Sequence, residues 1–172
     1  MARYTRDKFL LFLDVLKGGT GAPSWKRVNK STILEYSMNE VESTQNYIDA
    51  PEETTDITGY APEIPEEIVT DGANDIHNFI AKEFYDMPVG EECNVPALFC
   101  FPPTEDTTPE LRAHHATATI TKKVLNAVDQ KYTFSLKFTN VIKGHYTISA
   151  GVPTWVPPTT ERGNKATNKK ED

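Results

Sequence analysis

The sequence predicts a mainly β protein: an antiparallel β-sandwich or barrel with one flanking α-helix and a long projecting hairpin. Three observations support this prediction. Several stretches alternate apolar and polar residues with a period of two, as strands buried on one face do. Helical spacing is clear in one stretch, and an acidic, proline-bounded segment separates two predicted strands. The chain has 172 residues, the length of one domain with a sizeable core.

The chain opens with an apolar run at 9–16, "FLLFLDVL", followed by a turn-rich stretch at 17–25. The segment 31–42, "STILEYSMNEVE", then alternates and is predicted to form one strand. In that strand the apolar set faces the core and the polar set faces the other way. The apolar set is Leu34, Tyr36 and Met38, and the polar set is Glu35, Ser37 and Asn39.

A long hairpin is predicted over about 42–66. Its return arm is the Thr-rich Thr54–Tyr60, and Pro51 and Pro62 bound that arm, because proline interrupts the hydrogen-bond ladder of a strand. The stretch 47–67 holds seven acidic residues and no Lys or Arg.

A helix is predicted over about 74–86. Its apolar residues recur at helical spacing, Asn74 or Asp75 caps the start, and Pro88 with Gly90 ends it. The core-facing residues of this helix are predicted to be Ile76, Phe79, Ile80 and Phe84.

The second half of the chain is predicted to be strands. "NVPALFCF" at 94–101 has the continuous apolar content of a buried strand, whereas 115–124 and 131–140 alternate strongly, and 145–155 supplies a last short strand. Residues 157–172 have almost no apolar content, so we expect a flexible tail after a single domain spanning 1–156.

Charge is distributed unevenly along the chain. The sequence has 25 acids and 18 Lys or Arg, a formal net charge of −7. From Arg112 to Lys170, however, ten bases accompany two acids. The low pI of about 5.1 argues against sequence-independent binding of duplex nucleic acid. Oppositely charged stretches instead favour attraction between copies of the chain.

Catalytic and metal-binding patterns are absent from the sequence. His114 and His115 are the sharpest candidates, but adjacent strand residues point to opposite faces, so a surface position is expected for both. Cys93 and Cys100 have neither redox nor zinc spacing and are expected to be free thiols. Hydrolase, metalloprotease and phosphate-loop motifs are missing. The prediction is a protein that is not an enzyme and has no cofactor or metal. The run at 9–16 is too short to cross a bilayer and has no signal-peptide cleavage site after it.

Several stretches, taken in order, resemble the major tail tube proteins of long-tailed, siphophage-type bacteriophages. The stretches are "FLLFLDV", "WKRV", "TILEYSMN", "YIDAPEETTDITGYAPEI", "DGANDIHNFI" and "TNVIKGHYTISAGVPTW". The resemblance covers about residues 1–156. It implies a structural virion protein, made in the host bacterial cytoplasm, that forms hexameric rings stacked into a hollow tail tube. DNA would pass through this tube without specific binding.

The resemblance also implies partners and contact residues. The partners are further copies of the chain, with the tape measure, tail terminator and distal tail proteins. The hairpin would contact neighbouring subunits or rings through Tyr47, Ile48, Asp49, Glu52, Glu53, Asp56, Tyr60 and Glu63. Alternation on the strands makes Glu35, Ser37, Asn39, Thr119, Thr133 and Ser135 candidates for the lumen, with an ordinary solvated strand face as the alternative. A different function class remains open: a virion decoration or carbohydrate-binding β-domain, which requires an exposed aromatic platform around Trp25 or Trp155.

Overall fold

The protein is described here by a computed structural model that covers residues 8–45, 54–102 and 111–158. Of these residues, 59% lie in strands, which curl into an antiparallel half-barrel and confirm the predicted fold class. The strands are β1 (Leu10–Asp14), β2 (Trp25–Arg27), β3 (Ser31–Leu34), β4 (Glu40–Gln45), β5 (Thr54–Tyr60), β6 (Glu63–Val69), β7 (Asn94–Cys100), β8 (Leu111–Asn126), β9 (Lys131–Ser149) and β10 (Val152–Val156); the helix α1 is Asp75–Asp86, and a 3₁₀ turn spans Gly90–Cys93.

The main sheet has the order β2-β1-β7-β8-β9-β6-β3, and β10 pairs with the distal part of β9. All of its pairings are antiparallel. β8 and β9 are its longest strands, at 16 and 19 residues. Two irregularities in the β8–β9 pairing, at 115–117 and 121–124 of β8, shift the register. The first shift changes which face of the sheet the distal residues of β9 occupy.

The single strand predicted at 31–42 is wrong, because the chain divides there between two sheets. β3 pairs with β6, whereas β4 pairs with β5 in a separate two-stranded sheet of the described residues. Asn39 interrupts the strand with a φ of 46°, a left-handed conformation that Asn tolerates better than most residues. Its side-chain amide donates to the carbonyl of Ala61 at 3.1 Å. Leu34, predicted to be in the core, is 42% exposed.

The projecting hairpin consists of β4 and β5 and is shorter than the predicted 42–66. β6, which follows it, pairs along its whole length with β9 in the main sheet. Pro62 and Ile64 are buried there, so the chain enters the core immediately after the hairpin. The tip of the predicted hairpin, 46–53, lies outside the described residues.

The core lies between α1 and one face of the main sheet. Asn74 caps the helix by accepting the backbone N–H of Ile76 at 3.1 Å, which confirms the predicted start. Ile76, Phe79 and Ile80 are buried and Phe84 is partly buried against the same cluster, as predicted. The sheet residues of this core are Leu11, Leu13, Ile64, Ile68, Val95, Ala97, Phe99, Ala116, Ala118, Ile120, Phe134, Leu136 and Phe138.

A second, smaller cluster lies on the other face of the sheet, toward β10. Its buried members are Phe12, Leu98, Cys100, Ala113 and Tyr146. Within the described ranges, no helix is long and apolar enough to cross a membrane. Most of the predicted tail, from residue 159 onward, falls outside those ranges.

Candidate functional site

The candidate functional surface is the polar face of β6, β8 and β9, on the side of the sheet opposite α1. It exists because apolar and polar residues alternate on these strands, so each core residue has a polar neighbour on the other side. Cross-strand register aligns Glu63, Lys137 and Thr119 in one row and Ser135 with Thr121 in the next. We define the polar face by Glu63, Glu67, Thr117, Thr119, Thr121, Lys122, Lys131, Thr133, Ser135, Lys137 and Thr139.

Glu63 has a lysine and a hydroxyl partner on the polar face. Lys122 Nζ lies 2.7 Å from its Oε1, and the hydroxyl of Ser135 donates to the same oxygen. These two hydrogen bonds, that of Lys122 first, hold the pKa of Glu63 below its usual range. Glu63 is therefore a charged, fixed acceptor at neutral pH.

Glu67 forms a second pair on the same face, four residues farther along β6. Lys131 Nζ lies 2.7 Å from its Oε1, and the hydroxyl of Thr32 donates to that oxygen at 2.6 Å. The Lys131 hydrogen bond is the main cause that lowers the pKa of Glu67, and the same bond raises the pKa of Lys131. Both acids of the polar face are thus matched with a lysine.

The structure brings together three of the six residues predicted to face a lumen. Thr119, Thr133 and Ser135 lie on the polar face, and Thr119 donates from its hydroxyl to Asn94 Oδ1 at 2.7 Å. Ser135 is only 3% exposed. The remaining three, Glu35, Ser37 and Asn39, lie in the break between β3 and β4. Of these, Ser37 adjoins the polar face, because it forms an isolated antiparallel bridge with Glu63.

The predicted hairpin contacts are only partly within the described residues. Asp56 and Tyr60 lie on β5 of the hairpin, and Tyr60 is 60% exposed. Glu63 lies in the main sheet instead, because β6 begins there. The other predicted contacts, Tyr47, Ile48, Asp49, Glu52 and Glu53, lie outside the described residues. Exposed apolar side chains at Val41 and Ile57 add to the hairpin surface.

An aromatic group at the base of the hairpin was not predicted as a unit. Tyr36 stacks on Phe99 with ring centroids 4.4 Å apart, and its hydroxyl is 2.8 Å from His114 Nδ1. Burial raises the pKa of Tyr36 to about 12. Burial, followed by the charge of Lys143, lowers the pKa of His114. His114 is therefore a neutral packing residue, and the surface position predicted for it is wrong.

His115 points to the opposite face from His114, as predicted, but it too is half-buried rather than on the surface. Its ring stacks on Trp155 at 5.3 Å and meets the edge of Trp25 at 5.9 Å. Burial lowers the pKa of His115. The two tryptophans are themselves half-buried around this histidine. They form a packed cluster rather than the exposed platform that a carbohydrate-binding domain requires.

The thiols take no part in the polar face. Cys93 and Cys100 are both free, as predicted. Burial raises the pKa of Cys100 to about 12, which keeps it as an unreactive thiol at neutral pH. In the part of the chain that the structure describes, no group of three or more His, Cys, Asp or Glu is placed to hold a metal ion.

Comparison with solved structures identifies a chain of similar architecture in the tail of an empty gene transfer agent (GTA) particle, determined with helical refinement and C6 symmetry. The TM-score is 0.55 at 13% sequence identity, and the match covers 90% of this chain and 99% of that one. The two chains share a fold. No protein-family model matches the sequence, and no curated protein matches it either.

Proposed function

We propose that the protein is the structural subunit of a phage-type tail tube, assembled as six-membered rings that stack into a hollow cylinder. The observation that carries this proposal is the fold match along nearly the whole length of a tail chain from a six-fold symmetric particle. The order of sequence stretches that resemble siphophage tail tube proteins supports it independently.

The half-barrel sheet suits ring formation. Among the described residues, β2 and β3 lie at the two ends of the main strand order, and β10, which pairs with β9 alone, leaves a further edge free. An edge strand presents unpaired backbone groups, and a neighbouring subunit can satisfy them by extending the sheet. In this proposal six half-barrels continue one another around the ring. The side carrying α1 faces outward and the polar face lines the lumen.

The hairpin of β4 and β5 is proposed to hold subunits or rings together. It stands apart from the main sheet and exposes Val41, Ile57 and Tyr60. Solvent-exposed apolar groups on a projecting element are typical of an interaction surface. The acids of this region are proposed to attract the basic residues from Arg112 onward in a neighbouring copy, which makes assembly sensitive to salt.

In this role the chain needs neither an active site nor a cofactor. The proposed partners are other copies of the chain, the tape measure protein, the tail terminator and the distal tail proteins. The proposed location is the virion tail, after synthesis in the cytoplasm of the host bacterium. DNA would move through the lumen without specific contacts.

Electron microscopy of the purified protein at increasing concentration tests the proposal. Rings or tubes of uniform diameter with six-fold symmetry are the expected result. A chain that stays monomeric at every concentration and ionic strength would contradict the proposed function. Repeating the experiment in high salt tests the charge contribution, because attraction between exposed charges is screened there.

A further inference from the structure

The charge of the polar face differs from that of the whole chain. The protein has a formal charge of −7, yet the polar face contains two acids, Glu63 and Glu67, and three lysines, Lys122, Lys131 and Lys137. A lumen built from this face does not repel DNA through an excess of acids. It instead presents hydroxyl groups, Lys137, and two ion pairs within the subunit, Lys122–Glu63 and Lys131–Glu67.

The lysines of this face could bind the phosphates of DNA and slow its passage through the tube. A lysine that neutralises a phosphate releases condensed counterions, and this release drives binding regardless of sequence. Each ring would repeat the three lysines six times around the path of the DNA. The pairing with Glu63 and Glu67 must therefore suppress phosphate binding for transport to be smooth.

Glu63 is placed to compensate two of these lysines. Its carboxylate contacts Lys122 at 2.7 Å and lies directly across the β6–β9 ladder from Lys137. The hydroxyl of Ser135 on β9 also donates a hydrogen bond to this carboxylate. The orientation of the Glu63 side chain is thus fixed by a residue of the neighbouring strand. We infer that Glu63 is the charge-compensating residue that keeps the polar face from binding DNA phosphates. This inference rests on the proposed function.

The test compares four forms of the chain: wild type, Glu63→Gln, Asp86→Asn, and the double variant Glu63→Gln with Lys122→Gln. Gln keeps an oxygen that accepts from Ser135 and removes only the charge. Tubes of each form are mixed with a fluorescein-labelled single-stranded oligonucleotide and sedimented, at several salt concentrations. Circular dichroism checks that each form is folded, and microscopy checks that tubes are present.

Asp86→Asn is a matched control. It also removes one negative charge, and Asp86 sits 4.0 Å from Lys82, so this variant likewise deprives a lysine of a carboxylate. The affected pair lies on α1, on the other side of the sheet from the polar face. Any extra binding that comes only from a more positive chain would appear equally in this control.

The expected result is that Glu63→Gln tubes retain the oligonucleotide at low salt, whereas wild-type and Asp86→Asn tubes do not. Each lysine that loses its carboxylate partner should steepen the slope of log binding constant against log salt by about 0.7. Between about 50 and 200 mM salt, this corresponds to a roughly threefold greater loss of affinity. The double variant should return toward wild type. This return would show that Lys122 is the group released.

If Glu63→Gln tubes bind no more oligonucleotide than Asp86→Asn tubes, the inference is overturned and the proposed function stands. If the wild-type chain forms no tubes at all, the proposed function fails. In that case the same titration on the unassembled proteins decides the inference. Tighter binding by Glu63→Gln than by Asp86→Asn supports it, and equal binding overturns it.

Discussion

Glu66 makes stability depend on pH in a direction that is unusual for a carboxylate. It is 0% exposed on β6, on the core side of the sheet, and its Oε2 contacts the hydroxyl of Ser31. Within the described residues, its Oε1 has no hydrogen-bond partner. Burial raises its pKa to about 8, because a carboxylate loses its hydration in the core. The folded protein therefore holds Glu66 protonated at neutral pH.

The consequence for folding follows from proton linkage. Between the unfolded pKa of 4.5 and the folded pKa of about 8, the native chain binds a proton that the unfolded chain releases. The free energy of unfolding therefore falls as pH rises through this window, and the stabilisation is complete only below it. The full slope is about 1.36 kcal/mol per pH unit and is smaller close to either pKa, so the loss from pH 5 to pH 8 is about 3 kcal/mol. In urea this moves the midpoint by about 1 to 2 M.

The perturbation is Glu66→Gln, measured by urea unfolding at a series of pH values with tryptophan fluorescence as the signal. Gln cannot ionise, so the variant should lack the decline between pH 5 and 8, and the stability difference from wild type should grow by about 3 kcal/mol. If the buried amide of the Glu66→Gln variant destabilises the fold by a constant amount, the plot of unfolding free energy against pH shifts as a whole and its slope does not change.

The control for this experiment is Glu67→Gln, the adjacent carboxyl on the opposite face. Its pKa is lowered by Lys131, so it is ionised in both states above pH 5. The difference in unfolding free energy between Glu67→Gln and wild type should therefore stay constant from pH 5 to 8. Parallel curves for wild type and Glu66→Gln would refute the argument.

Three further predictions concern folding and assembly. Replacing residues 43–56 with Asn-Gly, which closes a short hairpin, should leave the domain folded by circular dichroism but abolish tubes in electron micrographs; normal tubes would exclude the hairpin from assembly. Gly144→Ala should destabilise the protein by about 1 to 3 kcal/mol in urea and shift its tryptophan emission, because a Cβ there meets the Trp155 ring and lies 2.7 Å from the Val156 carbonyl oxygen. Asn74→Ala should lower the free energy of unfolding by about 1 kcal/mol through loss of the helix cap, and an unchanged urea midpoint would show that the cap is dispensable.

The elements predicted from the sequence are those whose patterns are local. The helix has both a cap at Asn74 and apolar residues at helical spacing, so its bounds are encoded within one stretch. The alternation in 131–140 likewise shows which side of β9 is polar, and that side forms much of the candidate surface. In these segments propensity, pattern and packing favour the same structure.

The features that the sequence patterns did not predict depend on contacts between residues far apart in the chain. The break at Asn39 reflects a turn that is stabilised by Ala61, and alternation alone continued the strand through it. The pairing of Glu63 with Lys122 joins residues 59 positions apart. No local pattern reveals it. The burial of Glu66 was also hidden, because the acids of 47–67 form one continuous acidic stretch in the sequence but lie on different faces in the fold.

Helical reconstruction of assembled tubes by cryo-electron microscopy is the most direct test of the proposal that this chain forms a tail tube. The expected map shows six-fold rings in which Thr119, Thr133 and Lys137 face the lumen and α1 faces outward. A map with α1 toward the lumen, or particles without six-fold rings, would contradict the proposed assembly.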